Sequence, residues 1–552
     1  MTTVRQRSES IQEAARTSYD VCVIGGGATG AGCALDSQLR GYKTILVEAG
    51  DFGSGTSSAS TKLIHGGLRY LEQAVRELDF RQYRVVRRAL QERRLMMLNA
   101  PYLVRVCKFV VPCRSFAEAA YYNAGLKLYD WLSGDARLSS SHFFGRAESF
   151  ARMPCLNIKN LFGIVVYSDG QFDDARYNLA LAHSCSTASG TVLNYVRAMG
   201  FEKNEHGQLV AAILEDRQSK ERLRVQAQAF VNATGPFSDN VRRLASADAE
   251  TRLRVSKGVH ILLPLPTSFG NEALLIPKTE DERVIFAIPW LGRLLVGTTE
   301  TESPVDAEMT VTKEEAEFLL RHVNRCLAKP FDLTDIVSAT AGLRPLVKSR
   351  DSRDTKKMIR DYEIEIESSS GLISVLGGKW TVYRAMAEDA IDAVQTKLTG
   401  QITASRTRRY LLYGAEGENS SEGKTADEYP VSNDTTRHLV QKFGSVRARV
   451  LDLAREDESL LAPIVEGAPH IQAEVIYSVR EEMALHIEDI LNRRLGLQLS
   501  DWRLAVQAAS VVGRLLEREL RWSQAQRQEE IGRYIAQINR SIQALGQKPI
   551  AL

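Results

Sequence analysis

The chain has 552 residues, of which 44% are hydrophobic and 25% charged, a balance that is ordinary for a soluble globular protein. This length predicts two to four domains, and a net charge of +3 argues against a nucleic-acid-binding protein. Because no run of about eighteen apolar residues occurs, we expect no segment that spans a bilayer.

Cysteine usage and the N-terminus bear on the compartment. The seven cysteines are scattered and form no C-x-x-C pair. This pattern predicts a reducing compartment, without a disulfide framework and without a metal site. Residues 1–18 lack the apolar core of a secretory signal, and we expect them to form a short frayed tail.

Residues 19–48 have the pattern of a dinucleotide-binding unit. The apolar run YDVCVI at 19–24 predicts a buried strand. A second strand, 43–47, ends in Glu48, whose carboxylate can accept hydrogen bonds from ribose hydroxyls. Between the strands, glycines with G-x-G-x-x-G spacing allow a sharp turn, approach of a pyrophosphate and close helix packing. These glycines are Gly25, Gly27 and Gly30.

The run DFGSGTSSASTKLIHGGLRYLE at 51–72 follows this unit. Glycines and hydroxyls in such a loop can wrap a long dinucleotide and place donors near a flavin. A mobile surface loop is the alternative, but the embedded His, Arg and Tyr argue against it. The run closely resembles the signature of FAD-dependent glycerol-3-phosphate dehydrogenases, which implies FAD as the cofactor. The cofactor contacts expected here are Ser58, Thr61, Lys62, Gly66 and Gly67.

Residues 77–98 predict a long basic helix that Asn99 and Pro101 terminate. Its arginines form either a solvated face or a surface drawn to anionic lipid. The segment 114–133 adds tyrosines and a tryptophan, which suit a membrane interface or a protein core equally well.

Two later segments resemble further cofactor motifs of two-dinucleotide-fold flavoproteins. A strand that ends in Ala233-Thr234-Gly235 matches the second motif, and Ala233 and Gly235 are expected at the cofactor. The run GGKW at 377–380 precedes a helix that begins near Thr381, and it matches the third motif through Gly378 and Thr381. The family pattern is closer to GGKLTTYR, so Trp380 and Val382 depart from it.

Residues 256–334 contain four alternating or apolar runs that predict an antiparallel sheet forming a wall of the substrate site. Residues 401–432 are polar and predict a linker. Residues 433–552 predict an all-helical domain.

The expected fold class is therefore α/β. An FAD-binding Rossmann-like region of the glutathione-reductase type, similar to D-amino-acid oxidase, carries the antiparallel substrate sheet and the C-terminal helical domain. The oxidoreductase region spans residues 19–400, with cofactor segments at about 19–110, 163–255 and 335–400.

The resemblance implies that sn-glycerol 3-phosphate is oxidised to dihydroxyacetone phosphate, with hydride passing to FAD and electrons to a membrane quinone. A phosphate dianion is best held by guanidinium forks. The substrate-binding residues that the family motifs imply are Arg69, Tyr70, Arg344, Arg360 and Lys379.

Loss of the C2 hydroxyl proton requires a base, and histidine titrates nearest neutral pH. His260, which alternates within the first strand of the substrate sheet, is the first candidate. Arg344 or Lys379 is expected to stabilise the developing alkoxide. His65 is the rival base, although its place in the run 51–72, the flavin loop, favours a structural or flavin-tuning role.

Three other functions compete. An oxidase would pass electrons to oxygen, an amine oxidase of the same fold would need one arginine for a carboxylate, and a flavin scaffold would not turn over. For the dehydrogenase we expect peripheral attachment to a bacterial cytoplasmic or mitochondrial inner membrane, facing a reducing compartment. The oligomeric state stays open, with a homodimer as one alternative.

Overall fold

The computed structural model describes residues 4–67, 71–72, 80–157, 159, 161–281, 283–348, 362–416 and 429–550. Within these ranges the strands are β1 Ser18–Ile24, β2 Thr44–Val47, β3 Leu63–Ile64, β4 Val104–Cys113, β5 His142–Gly145, β6 Gly163–Phe172, β7 Thr191–Leu193, β8 Val196–Lys203, β9 Leu209–Asp216, β10 Arg222–Asn232, β11 Leu253–Pro264, β12 Ala273–Ile276, β13 Ile285–Trp290, β14 Arg293–Gly297, β15 Thr301–Glu302, β16 Ser338–Val347, β17 Tyr362–Ile366 and β18 Ile373–Gly377. The helices are Val4–Arg16, Ala28–Leu39, Phe80–Asn99, Phe116–Ser133, Arg146–Arg152, Asp174–Thr187, Ser238–Ala245, Lys313–Asn324, Tyr383–Leu398, Asn433–Phe443, Arg447–Asp452, Gln472–Arg480, Leu497–Ser500, Trp502–Leu520 and Gln524–Ala544.

The first sheet is the predicted dinucleotide-binding fold. Its strand order is β17-β18-β10-β1-β2-β7, and β8 and β9 extend it beside β10. β1 pairs in parallel with β2 and β10, and the register aligns Ile24 with Val47 on one side and Asn232 on the other. The carboxyl ends of these three strands therefore lie together, where open α/β sheets bind their ligands.

The second sheet is larger than predicted. The four expected runs form β11 to β14, which pair antiparallel with one another in the order β11-β14-β13-β12. β12 continues in parallel onto β4, and the sheet also takes in β3, β5, β6, β15 and β16. The substrate sheet is thus mixed and extends beyond residues 256–334. Strands β3, β6 and β16 and most of β4 belong to this sheet, although they lie in the segments about 19–110, 163–255 and 335–400 that were expected to bind the cofactor.

The N-terminal segment is a docked helix, so the prediction of a frayed tail for residues 1–18 is wrong for the described part. Helix Val4–Arg16 inserts Arg7, whose Nη2 donates to the backbone oxygen of Asn194 at 2.7 Å and to Asp216 at 2.9 Å. Ile11 and Ala14 join the main core. The polar composition of this segment did not predict a packed helix, because the packing involves one buried ion pair and two apolar residues.

The basic helix is described over Phe80–Asn99 and ends at Asn99, the residue after the predicted end, whereas residues 77–79 lie outside the described ranges. Its arginines divide between core and solvent: Arg93 is buried and pairs with Asp169 at 2.6 Å, whereas Arg84, Arg87 and Arg94 are exposed. In the described part of the chain, no helix combines the length and apolar character needed to cross a bilayer.

The aromatic segment is the helix Phe116–Ser133. Tyr129 is buried, whereas Trp131 is 70% exposed and Tyr121 is 49% exposed. The core interpretation is therefore confirmed for Tyr129, and the membrane-interface interpretation of the exposed residues stays a prediction.

The C-terminal region is helical, as predicted, and the segment before it is partly packed. Within residues 401–416, the backbone oxygen of Thr407 accepts from Asn99 at 2.9 Å, and that of Tyr413 accepts from Tyr102 at 2.7 Å. This part of the expected linker 401–432 is therefore fixed to the cofactor domain. Residues 417–428 lie outside the described ranges.

The buried side chain of His183 predicts that the folded state loses stability in acid. Burial and the nearby cation of Arg176 lower the pKa of His183 to about 3, and its ring stacks on Tyr413 at 4.4 Å. Because the pKa is lower in the folded state, the unfolded state binds the proton first. The stabilisation is complete above about pH 6.5 and is lost as pH falls through that value towards 3.

A His183→Phe variant keeps an aromatic ring on Tyr413 and removes the titration. Between pH 7 and pH 5 we expect the wild type to lose about 2 kcal/mol more stability than the variant. Apparent Tm measured against pH for both proteins tests this. Parallel curves for the two proteins would show that His183 does not couple folding to pH.

Candidate active site

The glycine motif forms a cradle at the end of β1. Gly25 has a φ of +108°, and a Cβ there would lie 2.6 Å from the backbone oxygen of Ala233. A Cβ on Gly30 would lie 1.7 Å from the backbone oxygen of Gly25. These positions admit only glycine, so the chain turns tightly from β1 into helix Ala28–Leu39, whose N-terminus is the kind of site that binds a pyrophosphate.

Glu48 lies at the end of β2, beside this cradle. Its Oε2 accepts from the N–H of Gly26 at 2.6 Å, and its Oε1 accepts from the N–H of Gly50 at 2.8 Å. Desolvation raises the pKa of Glu48, while these backbone hydrogen bonds oppose the shift. A carboxylate fixed beside a glycine cradle matches the ribose-binding acid of an FAD site, so the residues present fit the cofactor.

Two cofactor segments meet at Ser57. Its hydroxyl accepts from the N–H of Ala28 at 2.9 Å, and its backbone oxygen accepts from the indole of Trp380 at 2.8 Å. Trp380 opens the short turn Trp380–Val382, which leads into helix Tyr383–Leu398 close to the predicted start. The departure from the family pattern at Trp380 therefore supplies a donor that holds the flavin loop.

Several expected flavin donors have protein partners instead. The Lys62 ammonium donates to Asp174 and to the backbone oxygen of Ser58 at 2.7 Å. The N–H of Gly66 donates to the Tyr129 hydroxyl at 2.8 Å. The donors of Lys62 and Gly66 are therefore engaged within the protein, where they shape the loop, and their direct contact with the flavin stays a prediction. Asp173 caps the helix Asp174–Thr187, whereas Asp174 anchors the loop by accepting from the Ser60 hydroxyl.

His260 lies where β11, β14 and the flavin loop meet. It is 1% exposed, and its Nε2 lies 3.0 Å from the Thr61 hydroxyl. This contact joins the substrate sheet to the flavin loop. It pairs with Gly297 on β14, where a Cβ would lie 2.2 Å from the imidazole. The Nδ1 atom is buried and has no hydrogen-bond partner among the described residues. A buried polar atom of this kind is available to form a hydrogen bond with a substrate hydroxyl.

The pKa of His260 differs from the expectation of a value near neutral pH. Burial, the Arg344 guanidinium and the Lys62 ammonium lower the pKa of His260 to about 3. The protein's own groups therefore do not give the expected pKa near neutral pH. The ring is therefore neutral at pH 7, and a ring nitrogen can accept a proton.

Arg344 reaches the same face from β16. It pairs with Ser256 on β11, and residues 256, 258 and 260 share one face because side chains alternate along a strand. A Cβ on Gly258 would lie 2.2 Å from the Arg344 Nη2 atom, so the guanidinium occupies the space that this glycine leaves. It donates to the backbone oxygen of Thr299 at 3.0 Å and to the Thr298 hydroxyl at 2.7 Å.

The other expected residues fall into two groups. Lys379 precedes the Trp380–Val382 turn and is half-buried, Thr381 is 4% exposed within that turn, and Gly235 opens a short turn after β10. All three follow the carboxyl ends of strands in the first sheet, Gly235 after β10 and the other two after β18. The three remaining residues lie outside the described ranges and stay predictions: they are Arg69, Tyr70 and Arg360.

The sequence interpretation missed the threonine pair that orients Arg344. Thr298 and Thr299 directly follow β14 at the point where Gly297 faces His260. Two hydroxyl residues at the end of an apolar strand were the available signal. Their partner could not be inferred, because it comes from a strand about 45 residues later in the chain.

The space beside His260 predicts a specific variant. In Gly297→Ala, the new methyl group must displace the imidazole, although every polar group of the site remains. We expect bound FAD to be retained and turnover to fall by about 100-fold, because displacement by about 1 Å can cost that much. Flavin absorbance and steady-state rates measure both effects.

Gly292→Ala is not a suitable control because of its positive φ, whereas Gly200→Ala lies in a strand with open space around it. Equal rates in Gly297→Ala and Gly200→Ala would contradict the role of this space.

Two family profiles match the chain. One described as FAD dependent oxidoreductase matches residues 20–384, and one described as C-terminal domain of alpha-glycerophosphate oxidase matches residues 405–527. Together they cover the cofactor and substrate regions and most of the helical domain.

Named relatives agree with these profiles. The chain is 37% identical to the mitochondrial glycerol-3-phosphate dehydrogenase SDP6 of Arabidopsis thaliana over 95% of this chain and 87% of the relative. It is 36% identical to the mitochondrial glycerol-3-phosphate dehydrogenase of Homo sapiens over 93% and 72%, respectively. The structure superposes on glycerol-3-phosphate dehydrogenase from Bacillus halodurans complexed with FAD, with a TM-score of 0.80, 28% identity and full coverage of both chains.

Proposed function

Because this chain belongs to the FAD-dependent glycerol-3-phosphate dehydrogenase family, we propose that it oxidises sn-glycerol 3-phosphate to dihydroxyacetone phosphate and passes the electrons to a membrane quinone. One observation carries the proposal. A neutral histidine and an oriented guanidinium share one face of the substrate sheet, and that histidine contacts the cofactor loop through Thr61.

FAD, when bound, accepts the hydride that leaves C2 of the substrate. The residues that would hold it are those of the glycine cradle, Glu48 and the loop around Ser57. The chain's own part in the chemistry is to bind the phosphate, to remove the hydroxyl proton and to keep the reacting groups in place.

Arg344 is proposed to hold an anionic part of the substrate. Its position is fixed by Thr298 and Thr299, so little side-chain entropy is lost when an anion binds. Lys379, with Arg69, Tyr70 and Arg360 from family motifs, is proposed to complete the phosphate site. Several cations at one site suit a dianion, whereas the carboxylate of an amine-oxidase substrate needs one arginine.

His260 is proposed to take the C2 hydroxyl proton on a ring nitrogen. Arg344 lowers the pKa of His260 in the protein alone, and a phosphate dianion bound at Arg344 offsets that positive charge. Substrate binding therefore raises the basicity of the ring at the moment when it is needed. The same anion stabilises the imidazolium that forms.

An oxidase that uses oxygen is the second candidate, because the profile over residues 405–527 carries the name of alpha-glycerophosphate oxidase. The similarity to L-alpha-glycerophosphate oxidase from Mycoplasma pneumoniae, at 15% identity and a TM-score of 0.55, concerns the fold alone. The relatives with 36–37% identity are named dehydrogenases, which favours the quinone.

The acceptor is tested with purified protein, glycerol 3-phosphate and a short-chain ubiquinone analogue. We expect quinone reduction without oxygen, with one dihydroxyacetone phosphate formed per quinone reduced. Oxygen consumption that yields one hydrogen peroxide per substrate, unaffected by added quinone, would instead identify an oxidase.

Peripheral membrane attachment is proposed through the basic helix Phe80–Asn99. Its exposed arginines 84, 87 and 94 lie on the same face of the helix as Leu98, which is 54% exposed, and the helix packs beside the basic turn Thr407–Arg409. Exposed cations around an apolar residue suit an anionic lipid surface. A bacterial cytoplasmic membrane or the mitochondrial inner membrane is the expected site.

Co-sedimentation with vesicles tests this attachment. We expect the protein to bind vesicles that contain anionic lipid at low salt, and an Arg87→Glu, Arg94→Glu double variant to bind less. Arg224→Glu, which changes an exposed arginine on β10, is the matched control. Equal binding of both variants would exclude this helix as the membrane contact.

A further inference from the structure

A buried ion-pair network joins the C-terminal helical domain to the cofactor domain at Asp51. The Asp51 carboxylate is 0% exposed and pairs with Arg493 at 2.6 Å and with Arg494, whose Nη2 also donates to Oδ1 at 3.0 Å. Both arginines belong to the segment Asp489–Arg494 of the helical domain. Two guanidinium groups from one domain therefore hold a single carboxylate of the other.

Asp51 belongs to the turn that follows the ribose-binding acid. Its neighbour Gly50 donates to Glu48 at 2.8 Å, and the N–H of Gly53 donates to the backbone oxygen of Gly26 in the glycine cradle at 3.1 Å. The N–H of Ser54 closes the turn onto the backbone oxygen of Asp51 at 3.0 Å. Asp51 thus lies within the turn 48–54, which contacts the glycine cradle and begins at Glu48, the expected ribose-binding acid.

The same network reaches the N-terminal helix. Asn194 donates to Asp51 at 3.2 Å and to the backbone oxygen of Met483 at 2.8 Å, and it accepts from Arg7 at 3.1 Å. Segments from both ends of the described chain therefore meet at one turn of the cofactor site. None of these side chains belongs to the glycine motif or to the substrate sheet.

The energetics make this contact costly to break. Burial alone raises the pKa of the Asp51 carboxyl, but Arg494 and Arg493 outweigh it and lower that pKa to about 2. Removing one partner of a buried pair leaves an uncompensated charge in the interior. The turn must then move towards water or towards another partner, and it carries Gly50 and Glu48 with it.

We propose that Arg493 and Arg494 are positioning residues for FAD: the C-terminal domain grips Asp51 and so holds the ribose-binding turn in its binding conformation. The proposal rests on the FAD site of the proposed function. It assigns the helical domain a role in cofactor retention that the substrate chemistry does not require.

The test measures cofactor affinity rather than turnover. Protein stripped of flavin is titrated with FAD, and separately with ADP, which carries only the adenosine and pyrophosphate half. For Arg494→Met we expect the Kd of both ligands to rise by about 10- to 100-fold. Arg494→Lys, which keeps the charge but loses the fork, is expected to lie between the variant and the wild type.

Arg293→Met is the matched control. Arg293 of β14 also pairs with the helical domain, with Asp501 at 2.8 Å, but its partners are Asp501 and the backbone oxygen of Ser500 and lie outside the Asp51 network. Its FAD and ADP affinities are expected to stay within about twofold of the wild type. If Arg494→Met does not fold, Asp51→Asn, which keeps the shape of the side chain, replaces it with the same expectation.

Three outcomes overturn the proposal. Equal weakening in Arg494→Met and Arg293→Met would mean that any loosening of the domain contact acts on FAD. Weakened FAD binding with unchanged ADP binding would place the effect at the flavin half. Unchanged affinity in both Arg494→Met and Asp51→Asn would remove the network from cofactor binding. A wild type that binds neither ligand would instead refute the proposed function.

Discussion

Replacement of His260 by alanine is expected to leave FAD bound and to slow flavin reduction by glycerol 3-phosphate by about 100- to 10,000-fold, the range for loss of a general base. FAD is retained because the described contact of His260 with the cofactor loop is a single one, to Thr61. Proton removal then has to rely on water, which the buried site excludes.

Anaerobic stopped-flow measurement of the flavin absorbance gives this rate directly. The pH profile adds a second readout, since the wild-type rate should fall at low pH as His260 becomes protonated in the complex. The variant should lose that dependence. His322→Ala is a control, because His322 is a buried histidine in the helix Lys313–Asn324 beside the same sheet. A near-normal reduction rate in His260→Ala would remove His260 from the role of base.

Replacement of Arg344 by methionine is expected to lower kcat/KM for glycerol 3-phosphate by about 1,000-fold, because an oriented charged donor is lost. Methionine fills much of the space above Gly258, so the fold around the site should be kept. Arg344→Lys should recover part of the loss, since an ammonium keeps the charge but not the two parallel hydrogen bonds.

The division between kcat and KM identifies what Arg344 binds. A rise in KM alone indicates uniform binding of the phosphate, whereas a loss in kcat indicates stabilisation of the developing alkoxide. Arg254→Met, which changes a β11 arginine paired with Glu302 near the surface, is the matched control. Unchanged kcat and KM in Arg344→Met would place substrate binding elsewhere.

The cofactor half of the site was predictable because its signals are local. Gly25 to Glu48 is a continuous stretch, and each glycine has a steric reason that spacing alone reveals. The four runs from 256 onwards were likewise predictable from alternation, and they are β11 to β14 in the structure.

Contacts between distant segments were not predictable in the same way. Lys62 pairs with Asp174 across 112 residues, and Asp51 pairs with Arg494 across 443 residues. A charged residue in a sequence gives no sign of whether its partner is water or a buried ion. The docked N-terminal helix was missed for the same reason, because Arg7 and Asp216 are 209 residues apart.

The pKa of His260 shows a further limit. Its residue type predicts a pKa near neutral, but the value depends on burial, Arg344 and Lys62, which only the folded chain brings together. The base role survives this difference only if substrate binding raises the pKa, which the pH profile of flavin reduction measures.

The most direct measurement is an anaerobic titration of the purified yellow protein with sn-glycerol 3-phosphate. We expect the flavin band to bleach with one dihydroxyacetone phosphate formed per FAD, and we expect no bleaching by glycine or a D-amino acid. A colourless protein, or a flavin that stays oxidised under excess glycerol 3-phosphate, would contradict the proposed function.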